Sequence, residues 1–95
     1  MPKPIIDVII PAYNEEESIG KVVADIPKEL VRDILVCNNA STDNTATVAK
    51  NHGAIVLDQP QKGYGSACLA AMSHIASLDQ QPDIVVFLDG DYSDH

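Results

Sequence analysis

Residues 5–27 read IIDVIIPAYNEEESIGKVVADIP, an apolar run that meets a proline and gives way to apolar residues at helical spacing. Ile5 to Ile10 is apolar except for Asp7 and rich in β-branched side chains, the composition of a strand covered on both faces. Pro11 is expected to end that strand, because proline has no N–H to give a sheet. Asn14 followed by Glu17 reads as a helix N-cap with its reciprocal partner. Ile19, Val22, Val23 and Ile26 then share one helical face up to Pro27.

Outward from this unit the same alternation repeats. Ile34 to Cys37 is a second apolar run, and the polar segment Asn38, Asn39, Ala40, Ser41, Thr42, Asp43 offers several caps for a helix through Val48 to His52. Gly53 suits the close of that helix. Ala54 to Leu57 is a third strand. After a turn around Pro60 comes a long helix in which Cys68, Ala71, Ile75 and Leu78 share a face, and Ile84 to Leu88 forms a wholly apolar fourth strand. The rhythm is βαβαβαβ.

Strands separated by helices run parallel with right-handed crossovers. The fold class is therefore α/β, a three-layer, doubly wound, mostly parallel sheet of Rossmann-like kind. In such sheets ligands bind beyond the carboxyl ends of the strands. That rule selects four polar loops: Pro11 to Glu15, Asn38 to Asp43, Asp58 to Ser66 and Asp89 to His95.

At 95 residues the chain can build one modest core. Fourteen acidic against six basic residues give a net charge of −8, which disfavours nucleic acid or an anionic membrane as a partner through broad electrostatics. No segment approaches the ~20 continuous apolar residues of a membrane span. The opening apolar run is broken at Asp7 and lacks a small-residue cleavage site, so it does not read as a signal peptide and the expected compartment is the cytoplasm. Cys37 and Cys68 are too few for a disulfide framework and lack zinc-site spacing; they are expected to be buried reduced thiols. Asp83, Asp89, Asp91 and Asp94 crowd the final segment, where a divalent cation would relieve their repulsion.

Asp89, Gly90 and Asp91 follow the fully apolar strand, so two carboxylates one residue apart stand at the sheet's mouth. Such a pair can bind a hard divalent cation and leave coordination positions open for diphosphate oxygens, while Gly90 lets a ligand approach the backbone. The plainer reading is an acidic turn closing a strand. Pro11, Ala12, Tyr13, Asn14 and Glu15 join strand to helix, where Tyr13 can pack on a base; a capped helix start explains them equally well. Asn38 and Asn39 offer amides for a base edge or for a cap. Lys62, Gly63, Tyr64, Gly65, Ser66 and Ala67 form a glycine-bearing loop with a lysine, suited to phosphate or simply a flexible turn. His52 and His74 fall inside helical patterns and read as ordinary surface or core imidazoles.

Taken in order, these loops resemble glycosyltransferase family two on the nucleotide-diphospho-sugar transferase (GT-A) fold. PAYNEEESIG is similar to that family's opening Pro-x-Tyr-Asn-Glu segment, NNASTDNT to its Asp-Asp-Gly-Ser-x-Asp-x-Thr segment, and FLDGDYSDH carries its Asp-x-Asp. KGYGSA further resembles the polyprenyl- and dolichyl-phosphate sugar synthase branch. The resemblance implies residues 1–95 as the donor portion of such an enzyme, without the acceptor portion and with the catalytic base beyond His95. It implies that Pro11, Ala12, Tyr13 and Glu15 line the nucleoside pocket, that Asn39 reads the base, and that Asp89 and Asp91 engage ribose, diphosphate and Mg2+ or Mn2+. Gly90 accompanies them, and Lys62 with Gly63 would meet phosphate. The reaction implied is a single inverting displacement from a UDP- or GDP-sugar onto an acceptor that can be lipid-linked at the inner membrane face, by a monomer or a homo-oligomer. One departure is notable: the family usually has aspartates where this chain has Asn38 and Asn39.

Three alternatives stand beside this reading. Gly63-x-Gly65 ahead of a helix suggests a dinucleotide-binding domain, although Cys68 occupies the third glycine position. An apolar strand followed by Asp89-x-Asp91 suggests an aspartyl phosphatase, whose motif would open the fold instead of closing it. A truncated, non-catalytic nucleotide-sugar-binding module is the third.

Overall fold

The computed structural model describes residues 3–59 and 64–88, leaving aside the side chains of residues 64–68. Seven elements alternate: β1 (Ile6–Ala12), α1 (Ile19–Asp25), β2 (Asp33–Asn38), α2 (Thr45–Asn51), β3 (Ile55–Asp58), α3 (Tyr64–Ala76) and β4 (Ile84–Phe87). The strands form one parallel sheet in the order β3-β2-β1-β4. β2 and β3 are laid to one side of β1, and β4 returns to the other. Right-handed crossovers then require α1 and α2 on one face and α3 on the opposite face.

The core follows that arrangement. Val8, Ile10 and Ala12 of β1 with Ile34 and Val36 of β2 pack against Ile19, Val22 and Val23 of α1 and Ala49 of α2. On the other face Ile9, Leu35 and Cys37 pack against Ala71 and Ile75 of α3. Alternate residues of β1 and β2 thus feed two cores, which is why these strands are apolar throughout and do not alternate with polar residues. Each fully buried Ile, Leu or Val contributes roughly 1.5–3 kcal/mol. Cys37 is buried as expected. Cover is thinner at β4, where Ile84, Phe87 and Leu88 are exposed. An apolar groove of about 530 Å3 lies there between Val22 of α1, Ile26 just past its end, Leu30 and Val86.

Several sequence expectations need correction. Pro11 does not end β1, which continues through Pro11 and Ala12 in register with Cys37 and Asn38. The carbonyls of Ile5 and Ile9 accept from β4 and its flank, and those of Ile6 and Ala12 accept from the β2 side. Pro11 belongs to the first set, so its missing N–H faces the β4 side, where the last pair among the described residues is Ile9 with Phe87. Asn14 does not cap α1, which starts later, after Ser18. Its backbone is left-handed, with φ 52°, and its side chain reaches a different loop. Leu78 falls beyond the end of α3. The closing of α2 is as read, with Gly53 at φ 94° after the last turn.

The amino edge of the sheet is closed by charge. Asp7 is fully buried, and the Arg32 guanidinium grips it through Nε to Oδ1 at 3.1 Å and Nη2 to Oδ2 at 2.6 Å. Arg32 Nη1 also donates to the carbonyl of Gln80 at 2.8 Å. The hydrogen bond to Asp7 raises the Arg32 pKa, against partial desolvation, and the Asp7 and Asp33 charges add to the rise. Asp83 belongs to this edge too: its Oδ2 accepts from the Ile5 amide at 2.7 Å. Asp89, Asp91 and Asp94, which the sequence groups with it, lie outside the described residues.

Candidate functional site

At the carboxyl edge, the loops after β1 and β2 are tied together by hydrogen bonds. Asn14 donates its amide to Ser41 Oγ at 3.0 Å, and its Oδ1 accepts from the Thr42 amide at 2.9 Å. The left-handed backbone of Asn14, a conformation asparagine tolerates, turns the chain so that both bonds form. Thr45 is fully buried; its hydroxyl accepts from the Glu15 amide at 2.8 Å and donates to Asp43 Oδ1. Asp43 Oδ1 also accepts from the Thr45 amide at 3.0 Å, and Oδ2 from the Glu16 amide at 3.3 Å. Asp43, one residue ahead of the Asn44 N-cap, therefore holds the first amide of α2 and clasps the first loop as well.

Burial opposes ionisation of Asp43, but the hydrogen bonds from the Thr45 hydroxyl, the Thr45 amide and the Glu16 amide outweigh it, so its pKa lies below the ordinary carboxylate value. Asn38 and Asn39, which also offered caps for α2, serve elsewhere. The Asn39 amide donates to the Ala12 carbonyl at 2.8 Å, continuing the β1–β2 ladder one residue past the strand. Asn38 Nδ2 donates to Asp58 Oδ1 at 3.0 Å, its Oδ1 accepts from the Ser41 amide at 3.3 Å, and its carbonyl accepts from the Gln59 amide at 2.9 Å. The start of the third loop is thereby joined to the second.

Of the residues singled out in the sequence, Pro11, Ala12, Tyr13, Glu15 and Asn39 are brought to one edge. Ala12 is buried and Tyr13 is 44% exposed. Glu15 Oε2 accepts from Ser18 Oγ at 3.2 Å. Lys62, Gly63, Asp89, Gly90 and Asp91 lie outside the described residues. The strand that leads to the last three ends at this edge, with Phe87 beside Ile9 and the Leu88 amide donating to the Ile9 carbonyl at 3.0 Å. Strand order reverses between β1 and β4, and in open parallel sheets ligands bind in the crevice at that reversal. Among the described residues no cluster of three or more His, Cys, Asp or Glu could hold a metal ion, and no helix is long and apolar enough to cross a membrane.

Sequence reasoning missed the work of Ser41, Asp43, Thr45 and Asp58. Each is a polar residue at a strand end or helix start, which marks a loop; what it bonds to lies 20 to 30 residues away.

Known proteins agree with this geometry. Glucosyl-3-phosphoglycerate synthase from Mycobacterium tuberculosis, solved in complex with uridine diphosphate, superposes with a TM-score of 0.80 at 32% identity, over 95% of this chain and 35% of that one. The same enzyme solved with Mn2+, UDP-glucose and phosphoglyceric acid gives 0.78 at 32% identity, over 93% of this chain and 33% of that one. The sheet is thus of the GT-A kind found in nucleotide-sugar transferases. An uncharacterized glycosyltransferase of M. tuberculosis is 44% identical over 88 residues, covering 93% of this chain and 37% of the relative. Protein RfbJ of Shigella flexneri is 41% identical over 87 residues, covering 90% and 64%. The profile described as Glycosyl transferase family 2 matches residues 7–95, and the chain belongs to that family. It spans about a third of the length of the mycobacterial proteins it matches. The dinucleotide-binding and phosphatase alternatives fall with this assignment.

Proposed function

We propose that this chain is the donor-binding portion of an inverting, metal-dependent glycosyltransferase that takes a nucleoside-diphosphate sugar. One observation carries the reading: the loops after β1 and β2 are clasped together at the sheet edge where strand order reverses, next to the strand that runs into Asp89-Gly90-Asp91. Tyr13 offers its exposed ring to the base, with Pro11, Ala12 and Glu15 beside it and Asn39 at the base edge. Lys62 and Gly63 are assigned to phosphate.

Asp89 and Asp91 supply hard carboxylate oxygens one residue apart, a donor set that fits Mg2+ or Mn2+ better than a soft metal. When bound, the cation neutralises charge on the departing diphosphate. The chain's own contribution is to hold the nucleotide so that the anomeric carbon is open to the acceptor. A polyprenyl phosphate acceptor at a membrane surface rests on the KGYGSA resemblance, and the acceptor-binding portion and catalytic base are assigned to sequence beyond residue 95.

Calorimetry tests the donor site directly. Uridine or guanosine diphosphate should bind in the presence of Mn2+, and Asp91→Ala should weaken binding at least about tenfold, the size of a lost charged contact. Equal binding without metal, or tighter binding of a nicotinamide dinucleotide, rejects the reading.

A further inference from the structure

Accepting a donor nucleotide at this edge, we propose that Asp58, held by Asn38, is the carboxylate that selects the base by accepting its ring N–H. Ala12, Asn38 and Asp58 occupy one register row across β1, β2 and β3, at the carboxyl edge. Their side chains follow the alternation of Ile10, Val36 and Val56 and so lie on the α1/α2 side of the sheet. Asn38 and Asp58 are direct cross-strand neighbours, and the bond from Asn38 Nδ2 to Asp58 Oδ1 joins them at 3.0 Å.

This pair accounts for the amide at position 38. An aspartate there would set two carboxylates about a hydrogen-bond length apart, which is unfavourable unless one is protonated. Asn38 instead spends its N–H on Asp58 and its oxygen on the Ser41 amide, so the negative charge of this corner sits at the tip of β3. Asp58 is exposed and lines a pocket of about 360 Å3 with Asn38, Ala40 and Gln59. Small-molecule pockets run from about 300 to 1,000 Å3, so this one suits a single ring system better than a whole nucleotide. Ala40, in the left-handed region at φ 59°, leaves that wall without a long side chain.

An ionised carboxylate only accepts hydrogen bonds, and one hydrogen bond leaves it capacity for more. It therefore favours uracil at N3–H or guanine at N1–H and rejects cytosine, whose ring N3 presents a lone pair to the same oxygen. A site that hydrogen-bonds a donor discriminates strongly against an analogue lacking it. Asparagine at 58 can turn its N–H toward cytosine and should lose the selection.

The test is binding of UDP, GDP and CDP to the chain with Mn2+, by calorimetry, alongside thermal unfolding. The unsubstituted chain should bind UDP or GDP at least about tenfold more tightly than CDP, and Asp58→Asn should narrow that gap to within about threefold. Asn38→Ser removes the cross-strand bond that holds Asp58 but keeps the carboxylate, so it should weaken UDP and GDP binding while leaving their advantage over CDP above about threefold. A merely structural pair would make the two substitutions behave alike. Retention of the full preference in Asp58→Asn, or its loss in Asn38→Ser alone, overturns this inference while leaving the donor site intact. Failure of every nucleotide to bind the unsubstituted chain with Mn2+ removes the donor-site reading first, and this one with it.

Discussion

At the amino edge of the sheet, Asp7 is fully buried and held by two bonds from Arg32, whereas at the carboxyl edge Asp58 and Tyr13 are open to solvent and Asp43 is only half-buried. The first arrangement spends a charge pair on closing the sheet and presents nothing to a ligand. The second spends its hydrogen bonds on the shape of loops: Asn14, Glu15 and Glu16 are each fastened to the segment Ser41–Thr45. Both edges are rich in aspartate, so composition does not separate them. What separates them is whether the carboxylate's partners leave any of it facing outward.

That contrast can be broken most forcefully at Asp7. Removing one partner of a buried pair is costly, tempered here because Arg32 keeps 28% side-chain exposure and can resolvate. Asp7→Ala should lower stability by about 2 kcal/mol or more, a fall in Tm of roughly 10 °C for a chain of this size. Affinity for the nucleotide should be unchanged under conditions where the chain is folded. A variant that unfolds normally yet binds poorly would erase the distinction between the edges.

Thr45→Val comes next, because it keeps the shape of a fully buried side chain but strips the Glu15 amide and Asp43 of a common partner. A loss of about 1–2 kcal/mol is expected from the unsatisfied groups. Unlike Asp7→Ala, it should also weaken UDP or GDP binding, read by calorimetry at a temperature well below the variant's Tm. Unaltered affinity would show that the clasp serves α2 and not the site.

The smallest effect is a pH dependence. The pKa of Asp43 is depressed in the folded chain, so its stabilisation is fully present above the unfolded carboxylate value of about 3.9 and is lost as pH falls through the lower folded value. Between about pH 4 and 2 the unsubstituted chain should lose more Tm than Asp43→Asn does, and above about pH 5 the two slopes should coincide. Identical acid slopes would mean that Asp43 is not the titrating group.

The sequence by itself determined the class of fold and the edge at which its polar loops are expected to gather. Continuous apolar runs such as Ile34 to Cys37 demand cover on both faces, and helical spacing such as Ile19, Val22, Val23 demands a sheet to pack on; together they force parallel strands and gather four polar loops at one side. Those signals are local, with periods of two or 3.6 residues. Tertiary structure alone decided the strand order, and with it the reversal between β1 and β4. It also set Pro11 inside a strand, gave Asn14 to Thr42 instead of to a helix start, tied Asp83 to the Ile5 amide at the amino edge, and paired Asn38 with Asp58. Each of these depends on a partner tens of residues away, and an asparagine or aspartate satisfies a near cap or a distant amide with the same chemistry. Only the folded chain chooses between them.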